Sequence, residues 1–236
     1  MPTAVPLDKG GFLSMYGYVF QFGPVFQELP MLLDGVLTTL QLSAVTLLLS
    51  MIVGTLGALC RISRFRWLRV PATCYVQFIR NTPLLVQLFF IYFGLGQIHI
   101  EVPNYLAGLI GLVVNNGAYL TEIIRAGIEA IHKGQFEASS SLGLSYPQLM
   151  RHVIFPQAFR VIYPPLCNQF IGIILWSSLV STIAVRELSL AGKELAAETF
   201  RTFEAYAVVT LIYFVMTLSI SSALKLLGRR CFSRPA

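Results

Sequence analysis

The chain has 236 residues, of which 56% are apolar and only 12% are charged, and its mean hydropathy is +0.70. Soluble globular domains carry about 25% charged residues, and disordered chains combine low hydrophobicity with high charge, so both classes are excluded. The formal net charge of +6 is attributed to the excess of Lys and Arg that cytoplasmic loops of membrane proteins carry. No nucleic-acid partner is therefore expected. The composition predicts a polytopic membrane protein in contact with lipid.

Residues 1–30 precede the first apolar span. They lack the basic segment, apolar core and small-residue cleavage site of a secretory signal peptide. Aromatic residues recur in this segment, namely Tyr16, Tyr18, Phe20, Phe22 and Phe26. Aromatic side chains favour the level of the lipid headgroups. We therefore predict an extracytoplasmic interfacial segment over residues 1–30.

Five apolar stretches are each long enough to cross a bilayer, which takes about 20 residues. They extend from about Met31 to Cys60, Leu68 to Gln97, Tyr105 to Ile131, Phe159 to Val185 and Ala205 to Leu227. The pattern predicts an all-α protein with five transmembrane helices. The transmembrane domain covers residues 31–230, and residues 231–236 form a tail.

Basic residues are distributed unequally between the two sides of these spans. Of the 17 basic residues, 12 lie at one side of the membrane, either in, or at the span ends beside, the first connection, the third connection and the C-terminal tail. Because Lys and Arg accumulate in cytoplasmic loops, the N-terminus is predicted outside and the C-terminus in the cytoplasm.

The second span contains a charge and a helix breaker. Arg80 is placed well inside the span, where an unpaired arginine is costly. Thr82 and Pro83 follow it, and proline frees a backbone carbonyl within the bilayer. Arg80 and Thr82 are predicted to line a substrate pathway. A proline kink with a snorkelling or partner-bonded arginine is the alternative.

Uncharged amides lie at membrane depth in the third and fourth spans. They are Asn115, Asn116, Asn168 and Gln169. Such side chains either hydrogen-bond a polar substrate in the pathway or join neighbouring helices, and both interpretations stay open. Gly54 and Gly57 in the first span are three residues apart and lack the Gly-x-x-x-Gly spacing typical of close helix packing.

Residues 132–156 form a long polar loop between the third and fourth spans. Residues 135–142 have helical character, and Gly143 suits a left-handed helix end. Ser145, followed by Gln148, has the pattern of a capping box that opens a second short helix. Pro156 is predicted to close that helix. Two short helices joined by a glycine corner indicate a protrusion that docks into a partner.

The loop carries motifs that resemble the EAA loop of ABC importer permeases. The matching residues are Glu137-Ala138-Ser139, Gly143 and Val153-Ile154-Phe155-Pro156, with conservative departures at Ser139, Val153 and Phe155. Further motifs are similar to the polar amino-acid uptake branch, including Arg80-Asn81-Thr82-Pro83, Glu122-Ile123-Ile124-Arg125-Ala126-Gly127, Pro156-Gln157-Ala158 and Asn168-Gln169-Phe170-Ile171. The chain departs from many relatives at Leu175-Trp176, where they carry a charged pair.

This resemblance implies a type I ABC importer permease-like fold and a subunit that moves polar amino acids across the bacterial cytoplasmic (inner) membrane. Glu137, Ala138, Ser139, Gly143 and Pro156 would couple it to a dimer of ABC ATPase subunits, where ATP and Mg²⁺ bind; this chain itself would bind no cofactor. A second permease subunit, identical or homologous, and an extracytoplasmic amino-acid-binding protein would complete the importer.

Several motifs of enzymes are missing from the sequence. It contains no phosphate-binding Gly-x-x-x-x-Gly-Lys-Ser/Thr loop, no Gly-x-Ser-x-Gly elbow and no His-Glu-x-x-His pair. No catalytic residue and no metal site are therefore predicted, and the chain is expected not to be an enzyme. The alternatives are a self-contained secondary transporter or channel, and a membrane enzyme with an unrecognised catalytic pair.

Overall fold

The computed structural model describes residues 18–232, whose regular elements are all helical. Tyr16 of the predicted interfacial segment lies outside the described residues. The helices are α1 (Gly23–Gln27), α2 (Leu29–Ile62), α3 (Arg66–Arg80), α4 (Leu84–Gln97), α5 (Asn104–Glu129), α6 (Lys133–Ser141), α7 (Tyr146–Ile183), α8 (Leu188–Thr199) and α9 (Thr202–Phe232).

Four of these helices, α2, α5, α7 and α9, are long and apolar enough to cross a membrane. The bent pair α3 and α4 passes the same test as one unit, which gives 4 or 5 spans among the described residues. The all-helical fold and the approximate number of spans agree with the prediction from sequence.

The second predicted span consists of two helices at a sharp angle. α3 and α4 are bent by 106° across a short break that contains Thr82 and Pro83. The predicted interruption is therefore confirmed, but the bend is too large for a proline kink within one straight span. Pro83 has no backbone N–H, and it disfavours helical geometry at Thr82, so the chain changes direction there.

The fourth span is longer than predicted, because α7 begins at Tyr146 and continues without a break to Ile183. The prediction that Pro156 closes a short helix is wrong. A wider π-helical turn at Met150–Ile154 precedes Pro156, and such a turn relaxes the contact between a proline ring and the carbonyl four residues earlier. Pro164 and Pro165 also lie inside the helix.

α5 lies at the centre of the bundle, between α2 and α7. A Cβ atom at Gly54 of α2 would lie 2.5 Å from the Cβ atom of Leu120 of α5. A Cβ atom at Gly127 of α5 would similarly overlap Ile162 of α7. Glycine at these two positions lets the helices approach more closely than any other residue would allow.

α8 is held against α2 and α9 by a fully buried carboxylate, Glu187. Its side chain accepts hydrogen bonds from the Leu190 backbone N–H at 3.0 Å and from the Tyr213 hydroxyl at 2.7 Å. Glu187 therefore caps the N-terminus of α8 and links it to α9. Burial raises the pKa of Glu187 above its ordinary value because the charged form loses its hydration.

We expect Glu187→Gln to flatten the pH dependence of stability. Because the folded-state pKa of Glu187 is raised, its contribution to folding stability is fully present below the pKa of the unfolded state, which is about 4.3. This contribution is lost as the pH rises through the folded-state pKa. Wild-type Tm should therefore fall more between pH 4 and 8 than that of the variant. Glu198→Gln, at an exposed position of α8, is the control, and equal slopes for all three proteins would contradict the assignment.

The outward surface of α9 is strongly apolar. Leu211, Phe214, Val215 and Leu218 are each more than half exposed, which is typical of helices that contact lipid or another subunit in the membrane. The N-terminal end of α9 is covered by the segment that precedes α1. There Glu204 accepts hydrogen bonds from the Tyr18 hydroxyl at 2.7 Å and from the Gln21 N–H at 2.9 Å.

Candidate coupling surface and substrate pathway

α6 and the start of α7 form a sharp corner at Gly143, which adopts a left-handed conformation with φ of +74°. The Leu144 N–H donates to the Ser139 carbonyl at 3.2 Å, which is the 6→1 hydrogen bond of a Schellman motif. Ser145 is the N-cap residue of α7 and forms a capping box with Gln148, whose side-chain oxygen accepts a hydrogen bond from the Ser145 N–H at 2.9 Å. The glycine corner and the capping pattern were both predicted from sequence and are confirmed.

The corner exposes two large apolar side chains that the sequence analysis did not select. Leu142 is 81% exposed and Tyr146 is 65% exposed. Of the predicted coupling residues, Glu137 and Ala138 are exposed, Ser139 is buried, and Pro156 lies farther along α7. Leu142 and Tyr146 thus make the corner an apolar tip, with Glu137 and Ala138 beside it on α6. This arrangement suits insertion into a cleft of another protein.

The corner is attached firmly to the transmembrane bundle. Leu149 and Ile154 of α7 are buried in one apolar cluster with Ile128 of α5 and with Ile131, which follows it. The corner and α5 are therefore joined by a continuous packed contact, which is a physical connection of the kind that can carry coupling between two sites.

A network of ion pairs joins α2 to α5 near the same end of the bundle. Glu122 pairs with Arg61 of α2 and with Arg125, and Arg125 also pairs with Glu129. The ionic ladder thus ties the first span to the helix that supports the corner. Because Arg61, Glu122 and Arg125 are partly buried, salt screens their interactions less than those of fully exposed pairs.

Arg80 lies at the end of α3, beside the break, and its side chain is exposed. Its guanidinium carbon is 5.2 Å from the centroid of the Tyr119 ring. Between residues 18 and 232 it forms no salt bridge, because nearby Glu122 is paired with Arg61 and Arg125. Arg80 borders two adjoining cavities of about 270 and 280 Å³. The guanidinium is thus available to an anionic group.

Thr82 stabilises the break through Gln87, a residue that the sequence analysis did not assign to the site. The Gln87 amide donates to the Ile79 carbonyl at 2.9 Å and to the Thr82 hydroxyl at 2.7 Å. Its side-chain oxygen accepts from the Asn115 amide at 3.0 Å. The backbone freed by Pro83 is therefore satisfied by a side chain, and Asn115 connects the break to α5.

A second polar network crosses three helices. The buried Asn116 amide donates to the Ser50 hydroxyl of α2 at 2.5 Å, and its side-chain oxygen accepts from the Gln169 amide of α7 at 2.7 Å. Asn116 and Gln169 therefore join helices in this conformation, which was one of the two interpretations of the amides. Their role in the pathway stays a prediction.

Asn168 lies apart from Gln169, although the two are adjacent in sequence. Asn168 is exposed in a groove between α7 and α9, whereas Gln169 contacts α5. The structure thus places Arg80 beside the break and joins Thr82 to Asn115 through Gln87. It links Asn116 to Gln169 and leaves Asn168 on another face of the bundle.

Across residues 18–232, no three His, Cys, Asp or Glu side chains cluster as metal ligands would.

Comparisons with known proteins agree with this architecture. Over 206 residues the chain is 37% identical to the probable glutamine ABC transporter permease protein GlnM of Bacillus subtilis, covering 87% of this chain and 95% of GlnM. It is 39% identical over 199 residues to the probable amino-acid ABC transporter permease protein YckA of the same organism, covering 84% of this chain and 88% of YckA.

A solved structure is similar over most of the chain. The crystal structure of an amino acid ABC transporter with histidines contains a chain that is 39% identical, with a TM-score of 0.86, and the match covers 90% of this chain and all of that one. The fold is therefore type I ABC importer permease-like. Residues 52–233 match the family model described as the binding-protein-dependent transport system inner membrane component. The chain belongs to this family of inner-membrane permease subunits, which are not themselves enzymes.

Proposed function

We propose that this permease carries polar amino acids into the cell, with its N-terminus outside and its C-terminus in the cytoplasm. The named relatives transport amino acids, and 12 of the 17 basic residues lie on the side proposed to be cytoplasmic. Two permease subunits, identical or homologous, would enclose the pathway. A binding protein would deliver the substrate from outside.

The observation that supports coupling most strongly is the apolar tip at Leu142 and Tyr146. It is exposed, it lies on the side proposed to be cytoplasmic, and the segment that bears it packs against Ile128 of α5 through the apolar cluster that contains Leu144 and Leu149. We propose that two ATPase subunits, which bind ATP and Mg²⁺, receive one such tip from each permease. Closure of the ATPases would then move α5 and α7 of both permeases together.

Affinity purification of the tagged chain from its native membrane tests the assembly. We expect an ATPase subunit to copurify in a 1:1 ratio, and mass spectrometry of the same eluate identifies one permease or two. ATP-dependent uptake of radiolabelled amino acids by the reconstituted complex then tests the substrate class. A chain that repeatedly purifies alone and conducts amino acids without ATP would favour a secondary transporter.

We propose that Arg80 binds the carboxylate of the amino acid as it passes. A charge-assisted hydrogen bond is worth about 1.5–3 kcal/mol, so Arg80→Gln should lower uptake by about tenfold or more at subsaturating substrate. Arg80→Lys keeps the charge but loses the bidentate geometry, and its uptake should be intermediate. The measurement is the initial uptake rate in proteoliposomes.

Arg69→Gln provides the matched control, because Arg69 is an exposed residue at the other end of α3. It removes the same charge without touching the break. Wild-type uptake by Arg80→Gln would show that Arg80 is structural or solvated and would remove it from the pathway.

A further inference from the structure

A groove of about 550 Å³ lies between α7 and α9, at the end of the bundle opposite α8. Its floor is fixed by close packing of the two helices. The Tyr163 hydroxyl donates to the Leu224 carbonyl at 2.7 Å, and a Cβ atom at Gly228 would lie 2.5 Å from the Tyr163 ring. The groove is therefore a defined feature of the helix pair and does not depend on a flexible loop.

Three cations, Arg160, Lys225 and Arg229, surround this groove. All three are exposed, and none pairs with a carboxylate anywhere in the described part of the chain. Three like charges around one groove repel one another unless an anion lies between them. The groove thus has the electrostatic character of an anion site, although α7 and α9 are spanning helices.

The remaining surface of the groove is largely apolar, with Tyr163, Pro164 and Cys167 along the α7 side. Leu226 and Leu227, which follow Lys225 on α9, are each more than half exposed. A soluble anion such as phosphate would leave these apolar surfaces uncovered. An amphiphile with an anionic head and hydrocarbon chains would satisfy both the cations and the apolar walls.

We propose that this groove binds an anionic phospholipid, with the headgroup phosphate among Arg160, Lys225 and Arg229 and an acyl chain along α9. Basic pockets between transmembrane helices are suited to such headgroups. A second copy of the chain is a poorer occupant, because a two-fold interface here would bring the same cations together. Lipid binding in this groove does not require that the transported substrate be an amino acid, so each of the two proposals can be disproved separately.

Native mass spectrometry of the complex purified from its membrane provides the test. Phosphatidylglycerol and phosphatidylcholine are added at matched concentrations, and the bound lipids are counted. The Lys225→Gln/Arg229→Gln variant should bind phosphatidylglycerol about tenfold or more weakly, since each cation near an anionic headgroup contributes about a fivefold preference. Phosphatidylcholine binding should be unchanged.

Arg66→Gln/Arg69→Gln is the matched control, because it removes two exposed cations from α3 on the same side of the membrane. Equal weakening by both double variants would indicate general surface charge and overturn the proposal, as would unchanged lipid retention in the groove variant. Competition by inorganic phosphate alone would assign the groove to a free anion. Altered amino-acid selectivity with normal lipid binding would assign it, with Asn168, to the pathway.

Discussion

Replacing Gly143 with valine is expected to abolish most ATP-driven uptake while the transmembrane bundle stays folded. Gly143 has φ of +74°, a conformation that costs an L-residue about 1–2 kcal/mol and a β-branched residue more. A Cβ atom there would meet nothing within 4 Å. The effect is therefore purely conformational, and the equilibrium constant for forming the corner should fall by about tenfold or more.

Gly143→Asn is the matched control, because asparagine tolerates the left-handed region far better than valine does. It should keep most of the uptake and most of the ATPase copurification. Both variants are compared by uptake rate, by retention of the ATPase subunit and by thermal unfolding of the membrane subunit. Normal transport by Gly143→Val would contradict the role assigned to the corner.

Replacing Gly54 with valine is expected to prevent the bundle from assembling. The new Cβ atom would lie 2.5 Å from the Leu120 Cβ atom and 3.1 Å from the Leu120 carbonyl carbon, which belongs to the backbone of α5. A backbone atom cannot rotate out of the way, so α2 and α5 must separate. Overpacking of this kind costs on the order of 3 kcal/mol, and α2 and α5 share one of the main interfaces of the bundle.

The variant should appear as aggregated or degraded protein in fluorescence-detected size-exclusion chromatography. Gly96→Val is the control, because a Cβ atom at Gly96 would have no neighbour within 4 Å. It should give a monodisperse peak with a nearly unchanged Tm. A folded, thermally stable Gly54→Val protein would mean that the close approach of α2 and α5 is not required.

Those parts of the fold that depend on local chemistry were predictable from sequence. Continuous apolar composition locates α2, α5 and α9 within a few residues of their ends, because a helix that crosses a bilayer needs about 20 consecutive apolar residues. Gly143 and Ser145 locate the corner, because their signals act over a few residues of chain. The resemblance to the EAA motif is the basis for the coupling role proposed for the corner, which composition alone does not indicate.

Features that depend on contacts between distant segments were not predictable in the same way. The angle between α3 and α4 depends on the packing of both helices, and Thr82-Pro83 indicates only that the helix is interrupted. Asn116 and Gln169 are 53 positions apart, and a single sequence contains no signal that pairs them. The spacing of Gly54 and Gly57 gave no strong indication of close packing, which becomes evident only when Leu120 is placed opposite Gly54.

Leu142 and Tyr146 are a different case, because their signal was present in the sequence. Both are large and apolar within a polar loop, on either side of a predicted left-handed glycine. Such residues near a turn are either buried against the bundle or presented to a partner. Choosing between the two requires the burial of each side chain, which the structure provides.

The continuity of α7 has a mechanical consequence. The helix contains 38 residues, which corresponds to a length of about 57 Å, and its N-terminal end begins at the Gly143 corner. The helix is continuous across its π-helical turn and Pro164-Pro165, so a tilt at one end is transmitted to the other. A tilt of about 5° would displace its far end by about 5 Å over that length, so a small movement at the corner would be enlarged at the opposite end of the helix.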